Sequence, residues 1–157
     1  MRREVGKGFN VVNRLNASLK AEELGTADTP LILDCCPMIG VLSLNAIFAC
    51  DCLIVPISAD YLSAKGAVQI EKTLKALEHV LKRRVKRRYL LTRFDGRRNM
   101  SGDVLRMAEE KFGEDVCRTR IAENVSLAES PALNKTVFQH APASRGAHDY
   151  EELLEEL

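Results

Sequence analysis

Apolar positions along the chain fall into two patterns: short unbroken runs, and longer stretches at helical spacing. The runs are Leu31-Ile32-Leu33-Asp34, Cys52 to Ile57, Tyr89-Leu90-Leu91-Thr92 and Val116 to Ile121. Unbroken rather than alternating apolar character predicts parallel strands covered on both faces. Between them, Ile70, Leu74, Leu77 and Leu81 recur at i, i+4, i+7 and i+11. That spacing predicts a helix over 66–81 with those residues on one face, and Glu71 and Lys75 pairing on another. A helix from Ser101 to Phe112 would bury Val104, Leu105, Ala108 and Phe112, with Gly113 closing it. Leu44 to Cys50 reads as a short helix after a loop holding Pro37 and Gly40. Residues 131–144 read as a loop with an extended piece at 136–138. The final helix is expected to turn Ala147, Tyr150, Leu153, Leu154 and Leu157 inward and Glu151, Glu152, Glu155 and Glu156 to water. Val5, Phe9, Val12, Leu15 and Leu19 are spaced as in a helix, but Gly6 and Gly8 interrupt the pattern. Strands alternating with helices imply an α/β class with a mainly parallel sheet flanked by helices. The expected organisation is an N-terminal helical or irregular segment, 1–30, followed by one domain portion, 31–157.

Composition narrows this picture. Aromatics are 5% of the 157 residues and Trp is absent, so the core must be aliphatic. Net charge is +1, so charge-driven binding has to come from a local patch. Lys82-Arg83-Arg84-Val85-Lys86-Arg87-Arg88 puts six basic residues in seven, and Arg93, Arg97 and Arg98 follow. Such a run is either a non-specific DNA surface or a solvated helix end, where cations favour the helix dipole. No stretch of 18 apolar residues occurs and no apolar region follows Met1-Arg2-Arg3-Glu4, so neither a membrane span nor a secretory signal is expected. The odd count of five cysteines fits reduced thiols in a cytoplasm, acting as small buried apolar side chains. Cys35-Cys36 and Cys50-Asp51-Cys52 are spaced too tightly for structural zinc. His79, His140 and His148 share no spacing and no nucleophile has a base nearby in sequence, so independent catalysis has no support.

The segment Ile32-Leu33-Asp34-Cys35-Cys36-Pro37, Gly40, Leu44-Asn45-Ala46, Cys50-Asp51 and Val55-Pro56-Ile57 resembles the ParA/Soj branch of the deviant-Walker, MinD-type ATPases. That family writes a hydrophobic strand, D-C-P-P, a Gly, L-N-A-L, A-A-D and I-P-V. Asp60 to Gly66 resembles E-Y-x-A-x-x-G, and Leu91-Thr92-Arg93-Phe94-Asp95-Gly96-Arg97 resembles L-T-M-Y-D-A-R. Asn124 to Pro131 resembles N-V-R-L-S-E-A-P, and Ser144-Arg145-Gly146-Ala147 with Tyr150 resembles S-R-G-A-x-x-Y. The collinear matches cover residues 31–157.

The resemblance implies ATP and magnesium as the family's cofactors, with Asp34 ordering the magnesium shell through water. A carboxylate suits that role because magnesium prefers hard oxygen ligands and keeps several waters. It also makes Gly40 a residue of the nucleotide-responsive loop and Asp95 a weaker candidate for a nucleotide contact. Arg97 matches an arginine used on DNA, while Ser126 stands where another would be and Glu123 replaces a nearby Arg. Arg84, Arg87 and Arg88 are the further candidate DNA contacts. A P-loop needs G-x-x-x-x-G-K-[ST], and the chain contains none; Val5-Gly6-Lys7-Gly8 is a chance likeness. The implied fold is therefore an incomplete P-loop NTPase of the SIMIBI type, missing its P-loop strand, so the chain alone is expected to bind no nucleotide. The open sheet would rearrange, exchange strands between copies, or pair with a partner. Two functions follow. One is a truncated partitioning ATPase segment whose intact relatives are ATP-dependent DNA-binding dimers. The other is a non-catalytic module that binds DNA or pairs with an intact relative. A MinD-like membrane helix is disfavoured by the acidic end, 151–157.

Overall fold

A computed structural model describes residues 11–26, 29–36, 38–82 and 84–157. The Gly6-Lys7-Gly8 likeness, Pro37 and Arg83 lie outside the described residues, as does the side chain of Leu81. The chain divides into two compact units, 1–53 and 54–157.

In the first unit, α1 (Arg14–Ala21) packs on α2 (Val41–Ala49). Asn45 ties the two together. Its Oδ1 accepts from the Leu15 backbone N–H at 3.2 Å, and its Nδ2 donates to the Val11 carbonyl at 3.1 Å. Gly40 caps α2 in extended conformation, with its carbonyl accepting from Leu44 N–H. The expected strand at 31–34 does not form. These residues run without regular structure, and Ile32 is 91% exposed. A strand needs a neighbour for its backbone groups, and none of the described residues pairs with this segment. Among the described residues, the sheet does not include it.

The second unit is built on a parallel three-stranded sheet in the order β1-β2-β3, with β1 Cys52–Ser58, β2 Lys86–Phe94 and β3 Val116–Ala122. Helix α3 (Tyr61–Leu81) joins β1 to β2, and α4 (Asn99–Phe112) joins β2 to β3. α3 begins five residues before the periodicity suggested, because Asp60 caps it by accepting from Ser63 N–H at 2.9 Å. Gly113, at φ +57°, closes α4 as expected. Short helices α5 (Val125–Glu129) and α6 (Val137–His140) lead to α7 (Arg145–Glu156). Of the piece expected to be extended at 136–138, Thr136 is extended but Val137 and Phe138 are helical, because Thr136 and Gln139 form a reciprocal capping box.

β2 carries apolar side chains into both layers. On one side Tyr89 stacks on Phe112 of α4, with ring centroids 3.8 Å apart. On the other, Leu90 joins Cys117, Ile121, Leu153 and Leu127 in a cluster under α7. β1 departs from the expectation of two covered faces: Val55 and Ile57 are buried, whereas Ile54 and Pro56 are exposed. α7 also departs. It buries Gly146, Ala147, Asp149 and Leu153, while Leu154 is 70% exposed and Tyr150 and Leu157 face solvent. A Cβ on Gly146 would lie 2.6 Å from Leu127 Cγ, so only glycine lets the helix approach this closely. Cys35 and Cys36 are exposed rather than buried; Cys117 alone among the cysteines is fully buried.

Candidate functional site

Most of the residues singled out from the sequence lie in the β2–β3 unit. The parallel pairing of β2 with β3 runs Leu91↔Arg120 and then Phe94↔Ala122. Three steps on β2 face two on β3, so β2 holds one extra residue there, a β-bulge. Arg93 sits in that interval at φ +51°, a left-handed conformation that L-residues other than Asn and Asp seldom adopt. Beyond it, Glu123 N–H donates to the Phe94 carbonyl at 3.2 Å, which fixes Glu123 beside the bulge.

Asp95 then turns the chain. Its Oδ1 accepts from both the Arg97 backbone N–H and Arg97 Nε, each at 3.0 Å, and its Oδ2 accepts from Arg97 Nη2 at 3.1 Å. The Arg97 hydrogen bonds hold the Asp95 carboxyl down at about 2. Arg98 Nε lies 3.4 Å from Asp95 Oδ2, and Arg98 Nη2 lies 3.1 Å from Glu123 Oε2. Arg93 Nη2 reaches Glu123 Oε1 at 3.2 Å. Asp95 and Arg97, both singled out from the sequence, are therefore partners.

The basic run behaves differently from either sequence-based reading. Its second half is not a helix end but the start of β2. Arg87 is 3% exposed, so it faces the fold rather than a ligand in solution. Its Nη2 donates to Glu71 Oε1 at 2.9 Å and its Nη1 to Glu78 Oε1 at 2.5 Å. Nε lies 2.7 Å from Glu71 Oε2, near enough for Coulombic attraction though not aligned as a hydrogen bond. Tyr89 donates to the same Glu71 Oε2 at 2.5 Å. Glu71 does pair with Lys75, as expected, but from the inward face of α3. Arg88 is held by the Glu114 carbonyl and the Glu156 carboxylate. Arg84 stays largely exposed and pairs with Asp115 at 2.6 Å. Lys86, the start of β2, is seven residues before Arg93, roughly 23 Å along the strand, so the basic residues form two clusters rather than one surface.

The Glu71–Arg87–Glu78 network and the roles of Asp149 and Glu156 escape a reading of the sequence. A signal exists: Glu71, Leu74 and Glu78 share one helical stripe, and Arg87 and Tyr89 share one strand face.

Asp34 and Gly40 lie in the first unit, where both are exposed. Magnesium calls for several hard oxygen donors around one point. Asp34 brings one carboxylate from an irregular segment, and the Asp95 carboxylate is already engaged by two arginines. Among the described residues no group of three His, Cys, Asp or Glu side chains is arranged to hold a metal. The 157 residues contain no G-x-x-x-x-G-K-[ST] motif.

The fold defines an α/β chain, a three-stranded parallel sheet flanked by helices. The structure superimposes on the cell division ATPase MinD of Pyrococcus furiosus with a TM-score of 0.66 at 17% identity, over 92% of this chain and 57% of that one. A family model described as an AAA domain matches residues 17–87. The chain is 38% identical to the chromosome-partitioning ATPase Soj of Thermus thermophilus over 128 residues, 81% of this chain and 51% of that protein. It is 32% identical to the sporulation initiation inhibitor protein Soj of Bacillus subtilis over the same shares. With the chromosome partitioning protein ParA of Caulobacter vibrioides the identity is 28% over 98% of this chain and 58% of the relative. The chain is thus similar over most of its length to ParA- and Soj-type partitioning proteins, and it spans about half the length of the curated relatives it matches. No helix among the described residues is long and apolar enough to cross a membrane.

Proposed function

We propose that this chain is the carboxyl-terminal segment of a chromosome- or plasmid-partitioning ATPase, working in the cytoplasm, and that by itself it contacts DNA without gripping ATP. The observation that carries this reading is the collinear likeness to the Soj and ParA proteins through the Asp95–Arg97 turn, in a sequence without a G-x-x-x-x-G-K-[ST] motif. ATP and magnesium belong, in this reading, to an assembly that brings a phosphate-cradling segment to Asp34. A carboxylate there would order the ion's water shell. DNA contact falls to Arg97, which is 91% exposed, with Arg84 as a second, separate point. Arg87 and Arg88 serve the fold instead.

The exposed apolar segment at 31–34 favours a further element of this reading, which is pairing with a second copy or with an intact relative. A purely non-catalytic interaction module is the alternative, and the same segment would serve it. The deciding experiment titrates a fluorescent ATP analogue with magnesium into the purified chain, alone and mixed with the amino-terminal half of Thermus Soj. Binding only in the mixture, and its loss in Asp34→Ala, is the expected result. Saturable binding by the chain alone would overturn the assignment. No binding in either case would favour the non-catalytic module.

A further inference from the structure

The two exposed thiols, Cys35 and Cys36, take no part in the site described above. They directly follow the unpaired run Leu31-Ile32-Leu33-Asp34, and Met38 and Ile39 lie just beyond them. Ile32 and Met38 are 91% and 78% exposed, and Leu31 and Ile39 are exposed too. The thiol pair therefore sits inside an apolar segment that is open to water. Cys50 and Cys52 are half-buried and Cys117 is buried, so an oxidant in solution meets Cys35 and Cys36 first. The resembled D-C-P-P motif has one thiol here, and Cys36 adds a second in place of a proline.

The fate of such a pair on oxidation follows from distances. A disulfide needs Cα atoms roughly 4.4–6.8 Å apart. Neighbours along a chain are only about 3.8 Å apart across a trans peptide, so closing Cys35 onto Cys36 strains both the bond and the backbone. The thiols are also turned toward different stretches of the chain. Cys35 Sγ donates to the Leu33 carbonyl at 3.6 Å, and Cys36 Sγ donates to the Met38 carbonyl at 3.7 Å. Residues facing each other across two antiparallel strands have Cα atoms about 4.5–5.5 Å apart, inside the disulfide range. Segment 31–36 has no strand partner among the described residues, and a second copy of itself would supply the missing neighbour. A two-fold axis that sets Cys35 of one copy opposite Cys36 of the other also sets Leu33 opposite Met38 and Ile32 opposite Ile39, apolar against apolar. Asp34, the one charged residue between 31 and 39, meets no second charge in that register.

We propose that Cys35 and Cys36 are a thiol-modification site at which a low-molecular-weight disulfide, such as oxidised glutathione, links two copies of this chain through one thiol from each. The proposal rests on the pairing reading of the 31–34 segment and names the occupant as a second copy. The thiolate of one copy attacks glutathione disulfide and displaces one glutathione thiolate. The thiolate of the second copy then attacks the protein sulfur of that mixed disulfide and displaces the other glutathione. Two protein thiols are oxidised, one glutathione disulfide is reduced to two glutathiones, and the two thiol protons pass to them. The test incubates the reduced whole chain with oxidised glutathione and reads the products by non-reducing electrophoresis and by mass spectrometry of the linked peptides. The expected product has twice the mass of the chain, is linked through Cys35 or Cys36, and is dispersed by dithiothreitol. Cys35→Ser combined with Cys36→Ser should abolish it. Ile32→Lys should slow its formation several-fold while both thiols still react with iodoacetamide at the wild-type rate. Thermal melting of each variant separates these effects from unfolding. A Cys35–Cys36 bond within one chain, a chain that takes up glutathione without dimerising, or linkage through Cys50 or Cys52 overturns the proposal. Equal rates in wild type and Ile32→Lys overturn the part given to the apolar segment. Sedimentation of the reduced chain distinguishes the two levels. Association without linkage leaves the pairing reading standing and overturns the thiol site, and the absence of both overturns both.

Discussion

Arg87 is held between two carboxylates, and an almost fully buried charge persists only where it is matched. Burial alone would raise the pKa of Glu71, but hydrogen bonds from Tyr89, Arg87 and Lys75 outweigh it and the net shift is downward. Glu78 behaves in the same way through Arg87 and the Val85 N–H. Arg87→Ala leaves two inward carboxylates without their partner and is expected to cost about 3–5 kcal/mol in urea unfolding. Arg84→Ala, in an exposed pair, should cost less than about 1 kcal/mol. Carboxylates with lowered folded-state pKa values stabilise fully above the ordinary value of 4.5, and that contribution is lost as pH falls through the folded-state values. Tyr89 is shifted upward by burial and by Glu71, so its contribution holds below pH 10 and fades above it. Unfolding free energy measured against pH should therefore fall at both ends, and Arg87→Ala should flatten the acid limb. The periodicity of α3 places Leu74 correctly but does not say that two glutamates on the same stripe find a cation on β2.

At the scale of elements, α7 does more than cover apolar surface. β3 is an edge strand, and the edge of a sheet presents unpaired N–H groups. Glu156 accepts from Arg118 N–H and Thr119 N–H, both at 2.8 Å, and Asp149 accepts from Ala122 N–H at 2.7 Å. Two acids seven residues apart on one helix face thus occupy the strand edge. The side chain of Glu156 is 5% exposed, which corrects its assignment to the wet face. Burial raises its pKa, and the backbone N–H bonds from Thr119 and Arg118 outweigh that to give a net lowering. Glu156→Ala should cost about 1–3 kcal/mol, since it leaves two amides unsatisfied. It should also speed hydrogen exchange at Arg118 and Thr119 while sparing the Tyr89 amide inside β2. Unchanged exchange would remove the edge-covering role. Helix spacing shows α7 as amphipathic, but its inward stripe differs from the expected one, because Tyr150, Leu154 and Leu157 are more apolar in type than Asp149 and Glu156.

For the molecule as a whole, the decisive feature is Leu31-Ile32-Leu33-Asp34, a strand sequence without a strand. Exposed apolar segments of high β-propensity tend to associate. Sedimentation of the chain should show concentration-dependent self-association, and Ile32→Lys should reduce it without lowering the melting temperature. Association that persists unchanged in Ile32→Lys would locate the contact elsewhere. The sequence by itself determined the α/β class, the strands at 52–58, 86–94 and 116–122 to within a few residues, and the family likeness. Those follow from apolar runs, helical periods and collinear motifs, all of which are local or linear signals. It also singled out Asp95 and Arg97, because both stand in one short motif. Only the tertiary structure decided which charges are spent. Arg87 and Arg88 go to the core and to the β3 edge, while Arg93, Arg97 and Arg98 gather at a bulge beside Glu123. The reason is physical: a charge in a sequence has a sign but no partner, and partners between 9 and 68 residues away are brought within hydrogen-bond reach only when strands pair and helices pack.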